Sequence, residues 1–173
     1  MAIQIKELQM QAGVAGADAF LHVQTKRAGK IKGEVVAADH LDDIDVIGWA
    51  WGLSAASAVG STQATGRRAY TALTVHKRVD AATTALMSAL ATNDEVKEAK
   101  LTLRRAGGQQ DYYFTIKLSG ARITLVQHSC DASGDTLETV AIAFNKVEVE
   151  YKPQKSTGLR SGSSMFMDEI LQA

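Results

Sequence analysis

The sequence predicts a mainly β protein: a two-sheet β-barrel carrying one short α-helix at about residues 81–93. Three observations carry that expectation. Apolar and polar side chains alternate with period two along most of the chain. Only the Ala-rich stretch from Ala81 to Asn93 shows helical spacing. Short alternating runs are separated by Gly, Ser, Asn and Asp, the pattern of many strands joined by turns.

The alternation around Trp49 is clean. Ile47, Trp49, Trp51 and Leu53 share one strand face and read as core. Gly48, Ala50 and Gly52 share the other, which suggests a close neighbour or a cavity wall. Leu73 and Val75 alternate with Thr74 and His76, and Leu101 and Leu103 with Lys100, Thr102 and Arg104. Tyr112, Phe114, Ile116 and Leu118 form the next apolar face, and Ile123 and Leu125 follow a break at Ser119-Gly120. Val140, Ile142 and Phe144 are even-numbered, whereas Val147, Val149 and Tyr151 are odd-numbered. A straight strand keeps its phase. The switch therefore requires a bulge near Asn145-Lys146 or a strand that crosses between sheets there. Pro153 ends that strand because it has no N–H for a ladder.

In the helix, Ala82, Leu86 and Leu90 form the expected buried stripe with Met87 and Ala89 beside them; Asp80 is the candidate N-cap and Asn93 the C-terminal residue. Gly107-Gly108 and residues 130–136 read as turn and loop. Residues 1–19 lack alternation and read as an N-terminal extension; residues 154–164 have linker composition. Residues 165–171 read as a frayed tail in preference to a short docked helix.

Composition excludes several classes. At 173 residues the chain is about one domain. Hydrophobic residues make up 46% and charged residues 22%, which excludes disorder of the whole chain. Nineteen Lys and Arg balance nineteen Asp and Glu, so the charge that binds nucleic acid through its phosphates is absent. Zero net charge also permits self-association. The single Cys130 cannot form an internal disulfide. No apolar block follows Lys6, so no cleavable signal peptide is expected. The uncharged stretch Val46–Gly66 is long enough to span a bilayer, but its second half is Ser, Ala, Thr, Gly and Gln, so no membrane span is expected.

The sequence offers no catalytic residue, metal site or cofactor site. His128 and Cys130 lie two apart and read as a strand-end pair, not a Cys-His dyad. Asp39, Asp42, Asp43 and Asp45 lack the central Gly and terminal Glu of a calcium loop, and in the Asp131-Ser133-Asp135 loop Thr136 stands where Gly is needed. Gly60–Arg68 lacks the Gly-Lys-Ser/Thr of a phosphate cradle. Arg67-Arg68, Lys77-Arg78 and Arg104-Arg105 read as solvated basic pairs.

An ordered set of segments resembles the haemolysin-coregulated protein family, the tube subunits of type VI secretion systems. The segments are Phe20-Leu21-His22-Val23, Gly33-Glu34, Asp39-His40, Ile44-Asp45-Val46 and Trp49-Ala50-Trp51-Gly52. They continue with Val79-Asp80 and the helix behind it, Ala99 to Gly108, Tyr112 to Ile116, Glu138-Thr139-Val140 and Phe144 to Pro153. Ala99 to Gly108 is the most specific. The resemblance covers residues 20–153, with 1–19 as an extension and 154–173 as a flexible tail.

The resemblance implies a barrel of two sheets with a helix on its side. It implies a homohexameric ring, head-to-tail stacking into a secreted tube, and a lumen that carries small effectors. Spike and sheath proteins are the implied partners, and the implied route runs from the bacterial cytoplasm without a cleavable signal. The sequence departs from the family at Ala50, where Ser is usual, and in the Ala-, Ser- and Thr-rich stretch from Ser54 to Gly66.

Gly48, Ala50 and Gly52 are the candidate lumen or subunit-interface wall. Asp39, Asp42, Asp43 and Asp45 are candidates to meet Arg104 and Arg105 between subunits or rings. A monomeric β-barrel binding a small molecule is the alternative, disfavoured by an aromatic content of only 6%. An enzyme is the third reading, and the 154–173 segment is too short to be a catalytic domain.

Overall fold

In a computed structural model, the described residues are 17–55, 60, 68–105, 111–153 and 162–170. The expected Gly107-Gly108 turn, most of the Ser54–Gly66 stretch and most of the two terminal segments lie outside them.

The protein is mainly β with one α-helix, as the alternation predicts. The strands are β1 (Ala17–Thr25), β2 (Ile44–Val46), β3 (Gly48–Ala50), β4 (Leu53–Ala55), β5 (Arg68–Tyr70), β6 (Leu73–Arg78), β7 (Val96–Arg105), β8 (Tyr112–Cys130), β9 (Thr136–Ala143), β10 (Lys146–Tyr151) and β11 (Ser164–Glu169). The helix α1 is Thr83–Ala91. The main ladder runs β2-β1-β7-β8-β9-β6-β3, with β10 and β11 added beside β8, and β4 and β5 form a separate hairpin. All pairings are antiparallel.

The ladder does not close into one circuit. Its end strands β2 and β3 are consecutive in the chain and divided by Ile47, whose N–H donates to the His76 carbonyl at 2.9 Å. One short segment thus leaves one sheet and enters the other.

The opposite corner is at β8, which runs for 19 residues through the expected break. Its first half pairs with β7 and β10 and its second half with β9. Gly120 makes the bend, with φ +54, a conformation that L side chains rarely adopt. Asn145, between β9 and β10, packs on it: a Cβ at residue 120 would lie 3.3 Å from Asn145 Nδ2. The Asn145 N–H donates to the Ser119 carbonyl at 3.3 Å. The even-to-odd switch is therefore a strand crossing between sheets: β9 pairs with β6 and β8, and β10 with β8 and β11.

Inward residues of both sheets, including Leu21, Val23, Leu73, Val75, Leu101, Ile116, Leu118, Val140 and Ile142, form one buried cluster. Ile123 points inward but Leu125 is 39% exposed, because a register shift between Ile123 and Leu125 inserts Thr124 and puts Val126 on the core side. The Trp strand is likewise broken. Trp49 and Trp51 pack against the core, whereas Ile47 and Leu53 are exposed, because β3 stops at Ala50 and the chain turns into the hairpin.

The helix is shorter than expected, its N-cap is the buried Ala82 and not Asp80, and it buries Thr83, Leu86 and Ala89, with Leu90 and Met87 turned out. Asp80 organises the turn before it: its carboxylate accepts from the Ala82 N–H at 2.9 Å, and its own N–H donates to Thr83 Oγ1 at 3.1 Å. At the other end Asn93 takes φ 52. The Asn93 and Asp94 N–H groups donate to the Leu90 and Ala89 carbonyls, a paired closure of the last turn. The helix packs against β8, whose second half has β9 as its strand partner. Lys152 donates to the Tyr113 carbonyl as β10 ends before Pro153. Residues 164–169, expected as the end of the linker and, from 165, a frayed tail or short helix, are a strand on the β10 edge.

Gly120→Ala is expected to cost about 1–2 kcal/mol through its left-handed φ, lowering the thermal midpoint by roughly 2–8 °C. At Gly52 a Cβ would meet only Thr71 Oγ1, at an ordinary 3.6 Å. Gly52→Ala therefore serves as the control that leaves the midpoint unchanged in the same melting experiment.

Candidate functional site

Between β1 and β2 the chain makes an arm, residues 31–43, folded back on itself. The Gly33 N–H donates to the Asp42 carbonyl at 2.9 Å, Asp42 to Val35 at 2.9 Å and Val35 to Asp43 at 3.1 Å. Gly33 is required here. A Cβ on it would stand 2.3 Å from the Asp43 carbonyl oxygen, with rigid backbone as the obstacle. The tip carries a 3-10 turn, Ala38–His40, and presents Val36 at 88% and Leu41 at 57% exposure.

One carboxylate fastens the arm. Asp43 is 4% exposed. Its Oδ1 lies 3.0 Å from His22 Nδ1 and 2.8 Å from Lys30 Nζ, and its Oδ2 lies 2.8 Å from His40 Nδ1. Burial alone would push this carboxyl up. Hydrogen bonds from Lys30, His40 and His22, and the Lys30 charge, outweigh it and hold the group below the usual carboxylate value. The His40 ring stacks on Phe20 at 4.6 Å and meets the Tyr112 edge at 5.1 Å. The Tyr112 hydroxyl donates to Asp39 at 3.3 Å. Two imidazoles and a carboxylate suggest a metal set by composition, but the Lys30 ammonium already sits on Asp43, and among the described residues no such group is placed to hold a metal.

The acidic run therefore divides. Asp43 is inside, in contrast to its expected place among surface charges. Asp42, partly exposed, is 3.6 Å from Lys32 Nζ, and Asp39 and Asp45 are exposed. The expected basic partners have partners within the chain. Arg104 donates to Asp18 through Nη2 at 2.5 Å and Nε at 3.1 Å, and lies over the Phe20 ring at 5.1 Å. The Arg105 guanidinium lies 4.7 Å above the Tyr113 ring. Asp45 and Arg104 do share one open cleft of about 480 Å³, with Asp18, Glu34, Val36 and Val79. Ala50 is exposed, and Gly48 and Gly52 are partly so.

A second polar centre was missed by reading Lys77-Arg78 as a solvated pair. Lys77 is fully buried. Its Nζ meets the Arg78 carbonyl at 2.8 Å, Thr83 Oγ1 at 3.3 Å, Glu138 Oε1 at 3.2 Å and Asp80 Oδ1 at 2.8 Å. Glu138, also fully buried, meets His128 Nε2 through its other oxygen at 3.0 Å. This cluster ties the start of α1 to β6 and β9. The signal was in the alternation: 73, 75 and 77 share one phase. His128 thus has a carboxylate partner, while Cys130 is exposed and its Sγ lies 3.5 Å from the Asp131 carbonyl.

Asp43→Asn is expected to remove stability at pH 7 and flatten the acid limb of the stability curve. The folded-state pKa of Asp43 is lowered, so its contribution is complete above the ordinary carboxylate value of 3.8 and is lost as pH falls through the lower folded value. Urea melts between pH 7 and pH 2.5 read this directly. Lys77→Met, which leaves Glu138 buried without its cation, is expected to cost about 3–5 kcal/mol in the same urea melts at pH 7.

Comparison with known proteins places this geometry. A family profile described as "Type VI secretion system effector, Hcp" matches residues 20–151. The curated Protein hcp1 of Pseudomonas aeruginosa is 34% identical over 140 residues, 79% of this chain and 86% of its own length. The crystal structure of Hcp1 from Salmonella typhimurium has a TM-score of 0.68 at 23% identity, over 89% of this chain and 94% of its own. A type VI secretion system effector from Yersinia pestis gives 0.70 at 22%, over 88% and 100%. At those identities the two structures support the fold.

Proposed function

We propose, from the premise that this chain belongs to the Hcp family of type VI secretion proteins, that it is the structural subunit of a secreted tube and not an enzyme. Six copies close into a ring through heterologous contacts, one patch meeting a different patch on the neighbour. Rings stack head to tail, and the lumen carries small effectors. Spike and sheath proteins are the further partners, and export from the bacterial cytoplasm runs through the secretion machine.

The observation that carries this reading is the family match over residues 20–151, which takes in the arm, the helix and every strand from β2 to β10. Two surface features support it. The arm tip offers Val36 and Leu41 to solvent, and β11 offers Met165, Phe166 and Met167. Apolar surface of this kind on a chain of zero net charge suits burial against further copies. The charges suited to contacts between copies are Asp39, Asp42 and Asp45, since Asp43 is committed to the arm. Gly48, Ala50 and Gly52 form the small-residue wall that faces the lumen or a neighbour. The small-molecule barrel draws less support, because the cleft at Asp45 and Arg104 is charged and open where such a ligand needs an apolar enclosure.

Light scattering on a sizing column tests the ring: a mass of about 110 kDa, six times 18.5 kDa, is expected. A mass near that of one chain at high concentration overturns the hexamer. Asp42→Lys is expected to weaken ring stacking at low salt, with the difference fading as salt screens it. Unchanged stacking by electron microscopy removes Asp42 from the contact.

A further inference from the structure

The β4–β5 hairpin has no ladder bond to the main sheet. Each of its strands is three residues long, and an isolated hairpin is marginal in water. At its base it joins the end of the β3–β6 pair, where the Thr71 N–H donates to the Gly52 carbonyl at 3.0 Å. Beyond that base, its side-chain ties among the described residues converge on Tyr70 and Arg68. The Tyr70 ring packs 6.1 Å from Trp51 and meets Phe144 edge-on at 5.8 Å. Arg68 Nη2 donates to Asp168 Oδ1 at 2.7 Å, and Arg68 Nε and the Tyr70 hydroxyl both donate to Asp168 Oδ2. Asp168 belongs to β11.

β11 is itself lightly held. It is an edge strand with six residue pairs to β10 and no second partner among the described strands. Five of its six residues are exposed, so apolar burial contributes little to its place. Beyond the ladder, the Ile170 N–H donates to the Asn145 carbonyl at 2.6 Å. Hydrogen bonds from Arg68 and then Tyr70 hold the Asp168 carboxyl below its usual range, so the clasp stays ionised at neutral and mildly acidic pH.

We infer that β11 is a strap that holds the β4–β5 hairpin in place through Asp168, and that the hairpin in turn holds the strap, so that releasing either frees the other. Two elements of low local stability share one ionised group, and a coupling of that kind is reciprocal. A partner that takes hold of β11 would then shift the hairpin without touching it. The inference concerns the single chain and stands apart from the ring reading.

Hydrogen exchange read by mass spectrometry on the full-length protein tests it. Asp168→Ala is expected to speed exchange at residues 53–55 and 68–70 by about tenfold or more, the scale of a lost hydrogen bond to a charged group. Asp168→Asn, which keeps the shape but loses the charge, is expected to fall between. In the reverse direction, Arg68→Gln with Tyr70→Phe is expected to speed exchange at residues 164–169 by a similar factor, while residues 101–103 and 116–118 in the core stay unchanged. An unmoved hairpin in Asp168→Ala, even with β11 itself released, overturns the strap. So does an effect in one direction only, or an equal acceleration throughout the core.

Discussion

The architecture depends on a corner where two strands turn together. β8 bends at Gly120 and the β9–β10 crossing bends at Asn145, and each occupies the space the other leaves. A side chain at 120 would meet Asn145 before it met solvent. The bend lets one 19-residue strand serve two sheets, so the apolar faces of both can enclose one core. Without it β8 would stay in one plane, and Ile123, Val140 and Ile142 would lose the facing layer of Leu101, Ile116 and Leu118. The second corner, at Ile47, is a chain connection, and the Ile47–His76 hydrogen bond sets it against β6.

What lies outside the ladder is held by buried charge. The arm buries Ile31 and Val35 but leaves its apolar tip exposed, and three donors on Asp43 fix its course. The start of the helix is tied to β6 and β9 by Lys77, Glu138 and Asp80. Such clusters are specific before they are strong. A buried carboxylate tolerates only the arrangement that supplies its donors, so each admits few alternative packings, while its net contribution is reduced by the desolvation it entails. The Asp168 clasp is the exposed version of the same device and correspondingly the easier to open.

Much of the ladder was legible in the sequence because a half-buried strand must alternate. Leu73-Val75, Leu101-Leu103 and Phe114 to Leu118 each took the phase they displayed, whereas a register shift opposite Leu103-Arg104 turns Tyr112 to the other face, against His40. The change of phase after Phe144 marked a real crossing between sheets. Gly120 was misread as an end because a glycine inside a strand and a glycine after one look alike; the difference lies in Asn145, far along the chain. Leu125 was placed inside because a bulge cannot be seen in one strand without its partner. β11 showed no alternation because both of its faces are open, so nothing selected a pattern. The arm went unseen for a related reason: its pairing follows from a close backbone approach at Gly33, which leaves no periodic trace. Lys77 lay in the inward phase of β6, and its charge concealed the assignment.

The pairing of β1 with β7 has a consequence for the chain as it is made. Leu21 pairs with Leu101, eighty residues later. At a synthesis rate of about 5–20 residues per second, β1 leaves the ribosome roughly 4–16 s before its principal partner exists. During that interval Phe20, Leu21 and Val23 form an apolar strand with at most the short β2 on one edge and the β7 edge open, the kind of segment that other nascent chains can pair with. Every molecule begins its life in competition between a neighbour that is present and a partner that is still to be translated.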